Sequence, residues 1–122
     1  MSAALTAQVK RMKAQPHEDA DVYDDGWLRI EHRNYYVACG GEHVYLRRKE
    51  FLIASYLTQN IGRIVPGLEI WTHAWSASSP FNYIAFRVTI HRLRRTLEPY
   101  NIKIKNSPNN GYELVRHSNI YE

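Results

Sequence analysis

A single cysteine, Cys39, is all the sulfhydryl chemistry that 122 residues contain. No intramolecular disulfide can form, and a reduced intracellular compartment fits best. The N-terminus lacks the apolar core of a signal peptide. The longest mostly apolar run, "FLIASYL", is far short of the roughly 18–20 residues a membrane span needs. The expectation is a soluble, cytoplasmic protein with no membrane partner. Six histidines are scattered without H-x-H or H-x-x-x-H spacing, so no metal site is expected. A P-loop, a G-x-S-x-G elbow and a glycine-rich dinucleotide fingerprint are missing too, so the chain reads as a non-enzyme without a cofactor. There is no internal repeat and no low-complexity tract.

Positive and negative charge are unevenly placed. Residues 17–25, "HEDADVYDD", hold Glu18, Asp19, Asp21, Asp24 and Asp25 and no Lys or Arg. All 16 basic residues lie outside that segment with only seven acids, a net of +9. A basic body beside an acidic segment points to a polyanionic partner; an anionic membrane surface fits the charge as well, so charge alone does not decide. With 44% hydrophobic residues, the length suits one domain with one core.

Periodicity divides the chain. Leu5, Val9 and Met12 at i, i+4, i+7 predict an amphipathic helix over 4–15, ended by Pro16. The acidic stretch 17–25 reads as a linker. From Trp27, "WLRIEHR", "NYYVAC" and "EHVYL" predict three or four short antiparallel strands, with Gly40–Gly41 as a turn. A helix over about 48–59 shares Phe51, Ala54 and Leu57 on one face and ends at Asn60 and Gly62. Pro66 is placed to start a second helix carrying Leu68, Ile70, Trp71, Ala74 and Trp75. "SASSP" is a loop. Asn82 is the candidate N-cap of a third helix that Pro99 stops. "NIKIKNS" and "GYELV" around "PNN" predict a hairpin.

The third helix carries the sharpest signal. Phe86, Ile90, Leu93 and Leu97 form its core stripe. At about 100° per residue, Arg87, His91 and Arg95 fall on the opposite arc with Val88 among them and Arg92 beside them. No acid occurs from Asn82 to Thr96. A merely solvated helix normally mixes signs for i, i+4 pairing. A helix fixed by one face and basic on the other suits the DNA major groove: arginine matches phosphates and guanine edges, and Val88 suits a thymine methyl. Two helices, a loop, a basic helix and a hairpin trace an α+β winged helix-turn-helix, with an N-terminal antiparallel sheet, a three-helix core and a C-terminal β-hairpin wing.

Residues about 26–116 resemble the C-terminal DNA-binding domain of OmpR/PhoB-type response regulators, placing that domain at 26–118. The matching residues are Leu46 to Phe51, Gly62-Arg63-Ile64-Val65, Ala74-Trp75, "VTIHRLRRTLEP" at 88–99, and Gly111-Tyr112. The resemblance implies binding to double-stranded promoter DNA, with a homodimer on repeated half-sites. It assigns DNA contacts to Trp75, Arg87, Val88, His91, Arg92 and Arg94. Arg95 joins them from the basic arc, and Asn109 and Asn110 as hairpin-tip residues within reach of phosphate or groove edges. For Arg94, pairing with Glu50 stands as the alternative, and for Asn109 and Asn110 a plain turn role. The chain departs from the family pattern at Pro66, Ile84, Arg87 and Pro108. Residues 1–16 are similar to the end of a receiver domain, though no phosphoacceptor pocket fits there. The acidic segment is expected to tune binding by competing for the basic helix. The rival reading is a winged-helix protein-interaction module. In it the loop 76–82, through Ser79 and Phe81, contacts a protein such as RNA polymerase, and sequence-specific DNA binding is weak or lost.

Overall fold

The computed structural model describes residues 21–116. Four short strands form an antiparallel sheet in chain order: β1 (Val22–Asp24), β2 (Leu28–Glu31), β3 (Tyr36–Cys39) and β4 (Glu42–His43). In β2 the side chains alternate. Leu28 and Ile30 are buried, whereas Arg29 and Glu31 pair on the outer face. Across the ladder Leu28 faces Cys39 and Ile30 faces Val37, which fixes the apolar face toward the helices. Burial pushes the Cys39 thiol up to about 11. The Trp27 ring lies over Gly40, where a Cβ would sit 2.5 Å from it. Its indole N–H donates to the Tyr100 carbonyl at 2.8 Å, tying the sheet to the far end of the helical core.

The linker expectation for residues 17–25 fails at its C-terminal end, because Val22–Asp24 form an edge strand. The acids there are used in ion pairs. Asp21 pairs with Arg33 and Asp24 with Arg29 beside the same sheet, and Asp25 pairs with Arg116 of the C-terminal strand. Asp25 also accepts the N–H groups of Trp27 and Leu28. Burial alone would raise its carboxyl, but those bonds, the Tyr23 hydroxyl and Arg116 hold it below its ordinary value. The predicted helix at 4–15 lies outside the described residues.

Three helices follow: α1 (Arg48–Gln59), α2 (Gly67–Ala74) and α3 (Tyr83–Leu97). The expected face of α1, Phe51, Ala54 and Leu57, is buried together with Ile53. At its N-terminus Glu50 turns back and accepts the Arg47 N–H at 3.1 Å. In α2, Ile70, Trp71 and Ala74 are buried and Leu68 points outward. The Asn82 side chain accepts the Ala85 N–H at 3.0 Å, the expected cap of α3. Phe86, Ile90, Leu93 and Leu97 are each at most 3% exposed, so the core stripe is as predicted. A short 3-10 turn, Glu98–Tyr100, carries Pro99 and ends the helix.

β5 (Ile102–Ser107) and β6 (Gly111–Arg116) form the C-terminal hairpin. Ile102, Ile104 and Leu114 close the core from that side. The hairpin is pinned to the link before α2 by a two-bond bridge. The Val65 N–H donates to the Tyr112 carbonyl at 2.7 Å, and the Tyr112 N–H returns to the Val65 carbonyl at 2.9 Å. This approach requires Gly111: its φ is +137°, and a Cβ would lie 2.2 Å from the Val65 oxygen. A four-stranded sheet, three helices and a hairpin packed around one core make an α+β winged helix-turn-helix.

Candidate nucleic-acid interface

Core packing decides which residues of α3 are available. With Phe86, Ile90, Leu93 and Leu97 inside, Arg87, Val88, His91, Arg92 and Arg95 are all exposed. Neither the three arginines nor His91 has an acidic partner among the described residues. The Arg87 guanidinium lies over the Tyr83 ring, 5.5 Å from its centroid, which stiffens the long side chain without neutralising it. The result is a cationic helix face with Ile84 and Val88 set into it.

Arg94 is placed differently. It is half-buried, and its Nε donates to the Ile104 carbonyl of β5 at 2.9 Å. The alternative of an Arg94–Glu50 pair does not hold, since Glu50 is occupied at the start of α1. The hydrogen bond joins α3 to the hairpin, and Arg94 also borders a small cleft. That cleft, about 240 Å³, is lined by Tyr83, Arg87, Ile90, His91, Arg94, Asn106 and Tyr112. It is a cationic notch between helix and wing, with Asn106 and the phenols supplying neutral donors. Tyr83, read from the sequence as an apolar handle beside Phe81, lies here on the same helix as Arg94. Asn106 escapes sequence reasoning, because only the hairpin's docking brings it beside Arg94.

The turn between α2 and α3 is built on aromatic stacking. Trp71 and Trp75 lie 4.1 Å apart at 9°, and Phe81 meets the Trp71 ring edge-on at 5.2 Å. Trp75 is half-buried, with the Lys49 ammonium 5.4 Å from its ring. The same ammonium donates to the Ala74 carbonyl at 3.1 Å, so a cation from α1 caps the C-terminus of α2. Nothing in local spacing reveals Lys49, which lies 25 residues before its partner. Ser79 is a turn residue: its carbonyl accepts the Trp71 indole N–H at 2.9 Å and its hydroxyl bonds Ser76. Phe81 keeps 43% of its surface exposed.

At the tip of the wing, Asn109 takes a left-handed conformation, φ +70°, and the Asn110 N–H donates to the Ser107 carbonyl. Both side chains remain exposed. The exposed cations of the wing are instead Lys103 and Lys105 on β5, with Arg116 on β6 paired to Asp25. Asp21, Asp24 and Asp25, expected to compete for α3, are paired elsewhere: with Arg33 and Arg29 of the N-terminal sheet region and with Arg116 of β6. Among the described residues no group of three or more His, Cys, Asp or Glu is arranged to hold a metal ion. No helix among them is long and apolar enough to cross a membrane.

Residues 41–114 match the family model "Transcriptional regulatory protein, C terminal". The chain is 29% identical over 97 residues to the sensory transduction protein RegX3 of Mycolicibacterium smegmatis, covering 80% of this chain and 40% of that protein. It thus spans less than half the length of that curated relative. It superposes on DrrB, an OmpR/PhoB homolog of Thermotoga maritima, with TM-score 0.64 and 26% identity, over 78% of this chain and 44% of DrrB. It also superposes on the Klebsiella pneumoniae RstA DNA-binding domain, solved in complex with the RstA box. There the TM-score is 0.65 and the identity 26%, over 79% of this chain and 98% of the domain. The chain therefore belongs to the C-terminal transcriptional regulatory protein family, as a winged-helix DNA-binding domain of the OmpR/PhoB response-regulator type.

Proposed function

We propose that the chain is a sequence-specific transcription regulator that lays α3 in the major groove of promoter DNA and the β5–β6 wing along the neighbouring backbone. One observation carries this reading. The face of α3 opposite the core stripe presents Arg87, His91, Arg92 and Arg95 without a single acid, and Val88 lies among them. Arg87 and His91 reach base edges, with Val88 against a thymine methyl. Arg92 and Arg95 meet phosphates on one flank, and Arg94 from the notch on the other. Trp75, held against Lys49, presents its edge to the phosphate chain at the end of α2. Asn109 and Asn110 add weak polar contacts at the wing tip. The solved RstA complex supports the mode by analogy. A homodimer on half-sites about one helical turn apart fits the same geometry.

The test is selection of bound sequences from a random duplex pool, repeated with Arg87→Ala and His91→Ala combined. An enriched motif that disappears in the double variant supports the reading. Weak, sequence-blind binding by both proteins rejects it.

A second reading is favoured by Phe81, whose exposed edge in the loop 76–82 is braced by Trp71. In it that loop docks a protein such as RNA polymerase, with Ser79 shaping the turn. A salt-insensitive association abolished by Phe81→Ala supports it.

A further inference from the structure

The recognition face holds more apolar surface than Val88 alone. Ile84 is 74% exposed and Tyr83 58%, both in the first turn of α3. Ile84 and Val88 stand at i and i+4, one above the other on the same face. They share a shallow recess with Tyr83, Arg87, His91 and Arg92. Neither side chain serves the fold, because the core stripe of α3 is complete without them. An isoleucine this exposed costs hydration unless something covers it.

The pair of arginines fixes what that something is. An apolar protein surface seated here would bury Arg87 and Arg92 without counter-charge, which is costly. A duplex supplies phosphate charge around the rim. It also offers one apolar group on its major-groove edge, the C5-methyl of thymine. A rise of 1.5 Å per residue separates Ile84 from Val88 by about 6 Å along the helix, within about two base-pair steps.

We infer that Ile84 and Val88 form a two-point thymine reader, so that the bound site carries a pair of thymines, one under each side chain. This rests on the DNA reading above and sharpens it: arginine sets the guanine and phosphate contacts, and the aliphatic pair sets an A·T step beside them. Covering one methyl is worth about three- to fourfold in affinity.

The experiment uses the whole chain and its selected duplex, with each thymine replaced in turn by deoxyuridine, which removes only the methyl group. Two thymines within about two steps should each lose about three- to fourfold affinity. Ile84→Ala should erase the penalty at one and Val88→Ala at the other; both residues are exposed, so the fold is preserved. Sequence-specific binding with no deoxyuridine penalty, or with penalties unchanged in both variants, would overturn the inference and leave the DNA reading standing. If the chain selects no sequence at all, the DNA reading fails and the thymine reader falls with it.

Discussion

Gly111 shows how much a single position decides. Its backbone sits at φ +137° with the Val65 carbonyl where a side chain would begin. Gly111→Ala should therefore lower stability by about 3 kcal/mol, through both backbone strain and the broken bridge; denaturant unfolding of the two proteins checks this. Arg95 is a contrasting case, exposed and structurally idle. Arg95→Ala should leave stability within about 0.5 kcal/mol of the parent. If Arg95 meets a phosphate, the slope of log affinity against log salt should become shallower by about one unit. A titration series at several salt concentrations distinguishes that from a residue that merely solubilises the helix.

Among the elements, α3 was the most legible and β1 the least. The stripe of α3 repeats four large apolar residues at helical spacing, and its cap and stop are the local residues Asn82 and Pro99, so every signal lies within the segment itself. The edge strand β1 has only Val22 and Tyr23 between acids, and its identity depends on β2, seven residues away in register at Tyr23 and Ile30. For the same reason Lys49, Asn106 and the destination of Arg94 could not be read: each depends on how two elements dock. Leu68, which shares its short helix with buried residues, is outward because α2 has only eight residues and one face to cover. Capping gives α3 its own prediction. Asn82→Ala should cost about 1 kcal/mol and loosen the first turn, which carries Tyr83 and Ile84. Amide exchange should rise at Ala85 first, since its N–H loses its acceptor.

Across the whole molecule, sheet, helices and wing are locked by a few long-range bonds: Trp27 to Tyr100, Arg94 to Ile104, Val65 to Tyr112. One lock is sensitive to acid. His32 packs between sheet and α1 with its Nδ1 2.6 Å from the Ser55 hydroxyl. Burial, aided by nearby His73 and opposed by Asp21, lowers its pKa below the ordinary 6.5. The unfolded chain then binds the proton more readily than the folded one, so this contribution is present above pH 6.5 and fades as pH falls below it. Thermal melts between neutral and mildly acid pH should show that decline, and His32→Gln should make it less steep.

The stacked indoles of Trp71 and Trp75 have an optical consequence. At 4.1 Å their electronic transitions couple, so the near-ultraviolet circular dichroism of the protein should be dominated by the turn between α2 and α3, with Trp27 contributing a separate weaker band. Any ligand that shifts that turn should change the spectrum without a label, from the chromophore pair the fold already places beside the start of α3.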